Sequence, residues 1–139
     1  MTALIPAIEP TRESLKRFAE EFPADVAVSM LNLLRFREQA AYAEPSVAAC
    51  SGRKAYGEYS RLIEPILRAA GGKVLWVGKS SASLIAPPGE EWDEILLVQY
   101  PSKQAFLGMI QSQAYQAIVH HRTAALADSR LLPSIQVSH

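Results

Sequence analysis

Tyr115, Ile118, Val119, Arg122 and Leu126 recur at offsets of three and four, so a helix over this segment turns an arginine into its own apolar stripe. A buried guanidinium without a partner costs several kcal/mol, roughly, so Arg122 must meet an anion or several acceptors. The first expectation is an internal ion pair with Asp93 or Glu94. The functional alternative is a planar fork that grips a substrate carboxylate or enolate through two bonds. His121 borders the same stripe and is the candidate general base, because imidazole titrates near neutrality. His120 projects away from the stripe. Adjacent histidines cannot share a metal at helical spacing, and neither has a His, Asp, Glu or Cys three or four residues away, so no metal and no other cofactor is expected.

Further polar and aromatic residues are candidates to line a substrate pocket. Tyr56 and Tyr59 fall on the inner face of a second helix and can present phenolic hydroxyls; the structural reading is core aromatics with satisfied hydroxyls. Trp76, Trp92 and Tyr115 can wall an aromatic-friendly cavity, and core packing is again the alternative. Asp93 joins this set as a possible partner of Arg122. Asn32 is a polar group in an apolar strand and needs a hydrogen bond from protein or ligand. Cys50 lies beside Ser51 and Gly52 with no base nearby in sequence, so nucleophilic catalysis has little support. Gly71 and Gly72 stop a helix, and neither a Walker pattern nor a GxGxxG occurs.

These residues hang on a short set of elements. Thr11 caps an amphipathic helix bearing Leu15, Phe18, Ala19 and Phe22, which Pro23 ends. Residues 26–36 read as a strand apolar on both faces, with Asn32 in mid-sheet. Residues 37–53 have no clear period and form a long loop, a lid candidate. Tyr56, Tyr59, Ile63, Ile66, Leu67 and Ala70 mark the inner face of the next helix. Residues 73–85 are a strand, kinked at Gly78, turning back through Ala86, Pro87, Pro88 and Gly89. Ile95, Leu96, Leu97 and Val98 form a central strand buried on both faces. Ser102 caps a helix carrying Phe106, Met109 and Ile110, a break follows near Ser112, and residues 130–137 close the sheet with Pro133 at an edge.

The totals restrict the class. The 139 residues fit one domain with a single core, of which residues 1–24 are a helical extension. Fourteen Lys plus Arg balance 14 Asp plus Glu, so no net field draws nucleic acid or an anionic membrane. One cysteine excludes an internal disulfide, and the N-terminus shows no basic start with a long apolar run, so the expected home is the cytoplasm. The longest nearly uncharged apolar run is too short to span a bilayer.

Removing the first helix leaves β-α-β-β-α-β, the ferredoxin-like arrangement of an α+β fold with an antiparallel sheet. Helices cover one face of such a sheet. The middle strands are apolar on both faces, so the bare face is expected to be buried by a second copy in a homodimer.

Three stretches, GGKVLWVG from Gly71, EWDEILLVQYPSKQAF from Glu91 and SQAYQAIVHHR from Ser112, resemble family 1330 of the domains of unknown function, within the dimeric α/β-barrel superfamily. The likeness covers about two thirds of the chain, from roughly Met30 onward apart from the long loop. It departs at Gln113, where the family often has proline, and in the N-terminal helix and long loop, which exceed its short members. The resemblance implies a dimeric α/β barrel with any ligand cavity between a monomer's sheet and its own helices. It leaves the chemistry open among cofactor-free monooxygenases, isomerases, haem-degrading proteins and stress-response proteins. The leading expectation is a homodimer binding a small, partly apolar, anionic molecule; if it is an enzyme, Arg122 stabilises negative charge and His121 or a tyrosine moves a proton. A noncatalytic binding or stress-related dimer is the competing reading. Haem handling is a third and requires a histidine reaching into the cavity.

Overall fold

The computed structural model describes residues 5–138, so residues 1–4 of the N-terminal extension and residue 139 lie outside the described part. Helix α1 (Arg12–Glu21) opens with a reciprocal cap: Ser14 N–H donates to Thr11 Oγ1 at 3.0 Å and Thr11 N–H to Ser14 Oγ at 2.9 Å. No residue of α1 is fully buried. It leans on α3 (Lys103–Gln111) through Phe18, whose ring meets Phe106 edge-on at 5.8 Å. Lys103 Nζ donates to the Ala19 carbonyl at 2.6 Å and to that of Phe22, placing a cation where the helix dipole is negative.

Strands β1 (Val28–Phe36), β2 (Lys73–Lys79), β3 (Glu94–Tyr100) and β4 (Leu126–Ser134) make one sheet in the order β2-β3-β1-β4, every neighbouring pair antiparallel. With α2 (Gly52–Ala69) after β1, and α3, α4 (Gln113–Gln116) and α5 (Val119–Ala125) after β3, this is the ferredoxin-like order with an extra N-terminal helix. Ser51, Ser102 and Ser112 cap α2, α3 and α4 through their hydroxyls. Gly71, at φ 81°, ends the turn after α2 in the left-handed region, and Gly72 N–H closes it on the Leu67 carbonyl at 2.9 Å.

Register separates the two faces. Val28 with Tyr100, Met30 with Val98 and Asn32 with Leu96 point to the helices; Leu31 with Leu97 and Leu33 with Ile95 point away. The covered face holds two clusters. One joins Val28, Met30, Val98, Tyr100, Phe106 and Met109; the other joins Leu34, Ala55, Tyr56, Tyr59, Ala125 and Leu126; Ile63 and Tyr115 touch both. On the opposite face Leu31, Leu33, Ile95 and Leu97 are half-buried, and Leu132 is 51% exposed.

Several expected boundaries move. The first strand starts at Val28, after Asp25 adopts a positive φ of 60°. The second ends at Lys79, and residues 80–93 run as a loop whose tip, Leu84 and Ile85, is 97% and 95% exposed. The last strand spans Leu126–Ser134, so Leu126 opens a strand instead of closing a helix. Its full burial satisfied both periods at once. Residues 52 and 53, expected in the long loop, begin α2.

The rest of that loop is tied down at both ends. Arg37 N–H and Ala41 N–H donate to the Ala125 and Ala124 carbonyls at 2.8 Å each, and Ala40 N–H donates to the Cys50 carbonyl at 2.9 Å. Gly52 N–H closes the loop on the Arg37 carbonyl at 3.0 Å. At Gly52 backbone meets backbone: a Cβ there would stand 2.3 Å from the Arg37 oxygen and 2.5 Å from that of Ala125.

Candidate functional site

The hinge between the two clusters is where the polar groups gather. Asn32 faces the helices in mid-sheet, and its Nδ2 donates weakly to the Met30 and Leu96 carbonyls at 3.3 and 3.4 Å. On the same side of the sheet α2 supplies Tyr56 and Tyr59, with ring centroids 5.3 Å apart, and α4 supplies Tyr115. The Tyr59 and Tyr115 hydroxyls stand 3.4 Å apart. Burial pushes the Tyr56 and Tyr59 hydroxyls up from their ordinary range, against a smaller downward pull from the Arg122 charge. Both are therefore neutral hydrogen-bond donors near pH 7.

Arg122 comes from α5 and is 9% exposed. The expected ion pair with Asp93 or Glu94 is not formed. Asp93 Oδ2 accepts the Phe36 N–H at 2.8 Å, and Glu94 lies 3.8 Å from Arg53. Arg122 Nη1 instead donates to the backbone carbonyl of Ile8, its one hydrogen bond among the described residues. No buried side-chain nitrogen or oxygen among those residues lacks a partner, so the remaining guanidinium N–H groups reach accessible space. A largely buried cation held by a neutral acceptor, with the Tyr56 and Tyr59 phenols close enough to feel its charge, has the chemistry of an anion site.

His121 belongs to a different locality. Its Nδ1 lies 2.7 Å from the Tyr42 hydroxyl, in the long loop, and its ring lies 4.1 Å from that of His120, tilted by 36°. The two residues expected to work together, Arg122 and His121, are thus directed apart, as successive helical positions must be. Tyr42 was not legible as a site residue, since it lies in a segment without periodicity. Burial and then His120 push the His121 imidazole down from 6.5, while Glu58 opposes and Arg61 adds to the lowering. The unfolded chain therefore binds more protons below pH 6.5, and the stability this group contributes is lost as pH falls from 6.5 through the lower folded value. The Ala41 amide, bonded to Ala124, is expected to lose protection over that window in hydrogen exchange corrected for intrinsic rate. Protection unchanged down to pH 5, roughly, would separate the loop from the histidine pair.

The tryptophans do not wall this region. Trp76 pairs with Leu97, on the helix-free face, where it is 55% exposed and lies over Gly78. The cause is a register shift between Val74 and Trp76, which turns the strand by one residue. Trp92 is buried beneath the Arg130 guanidinium, 5.1 Å from its ring. Arg130 is in turn held by Asp128 at 2.7 Å and Glu90 at 3.3 Å. Of the expected lining residues the fold brings together Tyr56, Tyr59 and Tyr115, keeps Asn32 on the helix-facing side of the sheet, and leaves out Trp76, Trp92 and Asp93. Two surface clefts lie elsewhere: one beside Glu38, Gln39, Ala49 and Cys50, and an apolar one of about 410 Å³ lined by Pro65, Ile66, Ala69, Met109, Ser112 and Ala114. Among the described residues there is no cluster of metal-binding side chains and no helix long and apolar enough to cross a membrane.

Sheet order, helix placement and a polar centre between them define an α+β protein of the ferredoxin-like class. The chain belongs to the family described as Domain of unknown function (DUF1330), which it matches over residues 35–133, the long loop included. It is similar over nearly its whole length to RPA0582, a protein of unknown function from Rhodopseudomonas palustris. Two crystal structures of that protein are 37% identical, cover 97% of this chain and 98% and 100% of the other, and superpose with TM-scores of 0.88 and 0.87. The N-terminal helix is therefore no peculiarity of this sequence. More distant structures share the fold alone. A hydroxynitrile lyase from Passiflora edulis is 10% identical, with 83% of this chain and 97% of that one covered and a TM-score of 0.55. A dimeric ferredoxin-like protein of unknown function from Bacteroides fragilis is 12% identical, with 79% and 96% covered and a TM-score of 0.50. No curated protein matches the chain.

Proposed function

We propose that this protein binds a small, partly apolar organic anion between its sheet and its helices, as one half of a cytosolic homodimer. The observation that carries this reading is the buried Arg122 guanidinium with a carbonyl for its partner. Tyr56, Tyr59, Tyr115 and Asn32 supply hydrogen bonds around it, and the two core clusters supply apolar walls. As an enzyme it works without a cofactor, in the manner of a monooxygenase or isomerase: Arg122 stabilises a developing enolate or carboxylate, and the Tyr59–Tyr115 hydroxyl pair moves the proton. His121 is assigned no part in that step, because Tyr42 and His120 engage it on the loop side of α5. The same placement argues against haem handling, which needs a histidine in the interior. Titration calorimetry with benzoate, with benzamide as the uncharged control, tests the site: one carboxylate per chain and none of the amide is the expected result. Equal binding of the two removes the anion reading.

A noncatalytic dimer whose gap is filled by its own side chains is the second reading, and one contact favours it: Ile8 packs on the cluster of Leu34, Tyr56 and Tyr59. Both readings use the same assembly. The helix-free face, with Leu31, Leu33, Ile95 and Leu97 half-buried and Trp76 and Leu132 more than half exposed, is an apolar surface that a second copy covers. Light scattering is expected to give twice the 15.2 kDa chain mass. Trp76→Glu, at an exposed position, is expected to shift that value toward one chain without loss of helix signal. A dimer indifferent to this change would move the interface elsewhere.

A further inference from the structure

Residues 6–10, Pro-Ala-Ile-Glu-Pro, run alongside α5 and the start of β4. Four contacts hold them: Ala7 N–H to Asp128 Oδ1 at 2.8 Å, Ser129 Oγ–H to the Ala7 carbonyl at 2.6 Å, Arg122 Nη1–H to the Ile8 carbonyl, and Thr123 Oγ1–H to Glu9 Oε1 at 3.0 Å. Among the described residues no ion pair secures the segment. Ile8 is its one partly buried side chain, and Ala7 and Glu9 on either side are exposed. Pro6 and Pro10 bracket it, each with φ fixed and no N–H to give to a sheet or helix. The segment is thus preset as extended chain and joined to the domain by a few replaceable bonds.

What it covers matters more than how it is held. The Ile8 carbonyl oxygen occupies Arg122, and the Ile8 side chain packs against the apolar cluster that contains Leu34, Tyr56 and Leu126. An oxygen acceptor joined to a branched hydrocarbon is, in shape and polarity, a neutral imitation of a small carboxylic acid. We infer that residues 6–10 are a displaceable strap whose Ile8 fills the ligand position in the free protein, and that the ligand is a small aryl or branched alkyl carboxylate that replaces it. The inference rests on the anion-site reading above and adds its substrate class and its gate. A carboxylate displaces the strap because it brings a full opposite charge and can take two parallel guanidinium N–H bonds, where the neutral Ile8 carbonyl takes one. The strap in turn lowers apparent affinity by the fraction of time that it is closed.

The test uses the full chain, benzoate as probe, and hydrogen exchange read on the peptide containing Ala7, whose amide is bonded to Asp128. Saturating benzoate is expected to deprotect that peptide while the β1 and β3 amides keep their protection. The double substitution Thr123→Val with Ser129→Ala removes two of the strap's bonds without touching Arg122. It is expected to raise benzoate affinity by roughly tenfold, the worth of two hydrogen bonds on a largely exposed segment taken near the low end of their range. Benzoate bound only by the double variant would equally support a closed strap. Binding to the wild type that leaves the Ala7 peptide protected, with affinity unaltered by the double substitution, overturns the strap and leaves the anion site standing. No binding by either protein overturns both.

Discussion

Arg122→Met weakens the binding of benzoate by about a hundredfold and leaves unfolding within about 1 kcal/mol of the wild type. The first figure follows from a charge-assisted bidentate bond being worth about 2 to 3 kcal/mol once desolvated, where each 1.4 kcal/mol is about a tenfold change in affinity. The second follows from what Arg122 does in the free protein. It donates one hydrogen bond to a carbonyl and has no carboxylate partner among the described residues, so an unbranched apolar chain of similar length replaces it at small cost. Had Asp93 or Glu94 been its partner, the same change would have stranded a carboxylate and cost several kcal/mol, roughly. Arg122→Lys keeps the charge without the planar fork and is expected to fall between the two, about tenfold weaker than wild type. Calorimetry with benzoate and urea unfolding on the three proteins measure both quantities. Undiminished binding by the Met variant would remove Arg122 from the site.

Gly52→Ala is expected to destabilise the fold by about 3 kcal/mol, at the upper end of what inserting a methyl group into a packed interior costs. The reason is the identity of what the methyl meets. The three nearest atoms to an added Cβ are the Arg37 oxygen at 2.3 Å, the Ala125 oxygen at 2.5 Å and the Arg37 nitrogen at 2.7 Å, all backbone, so no rotamer change relieves the contact. Separating them breaks the bond from Arg37 N–H to the Ala125 carbonyl, and with it the tie between the long loop, α5 and β4. Gly57→Ala on the same helix is the control. Its Cβ has nothing within 4 Å, and alanine favours helix by about 1 kcal/mol, so a small gain in stability is expected there. Similar losses from both changes would mean that helix propensity, and not the close approach, governs the position.

The contrast between Arg122 and Trp76 shows how far sequence carries for such a chain. Arg122 was legible because helical offsets fix which side of α5 faces inward, whatever lies opposite. Its partner was not, because Ile8 is 114 residues away and contributes a backbone oxygen that no side-chain pattern marks. Trp76 was misplaced for a local reason. Strict alternation from Val74 puts it on the helix side, and one extra residue at Leu75 turns it to the other face. Tyr42 reaches His121 from a stretch with no period, and Asp93 is consumed by the Phe36 amide 57 residues back. The order of strands and helices along the chain could be read because β1 and β3 carry apolar residues on both faces; the site's contacts are long-range and partly main-chain.

The two rims of the sheet carry a consequence of their own. Strand β2 presents Val74, Leu75, Trp76 and Val77 at about half exposure, the kind of border on which chains stack into fibrils. The shift at Leu75 breaks its straight row of donors and acceptors, and on the far rim Pro133 in β4 has no N–H to offer a newcomer. The open-ended lateral growth that so much exposed hydrocarbon would otherwise invite is thereby denied a template.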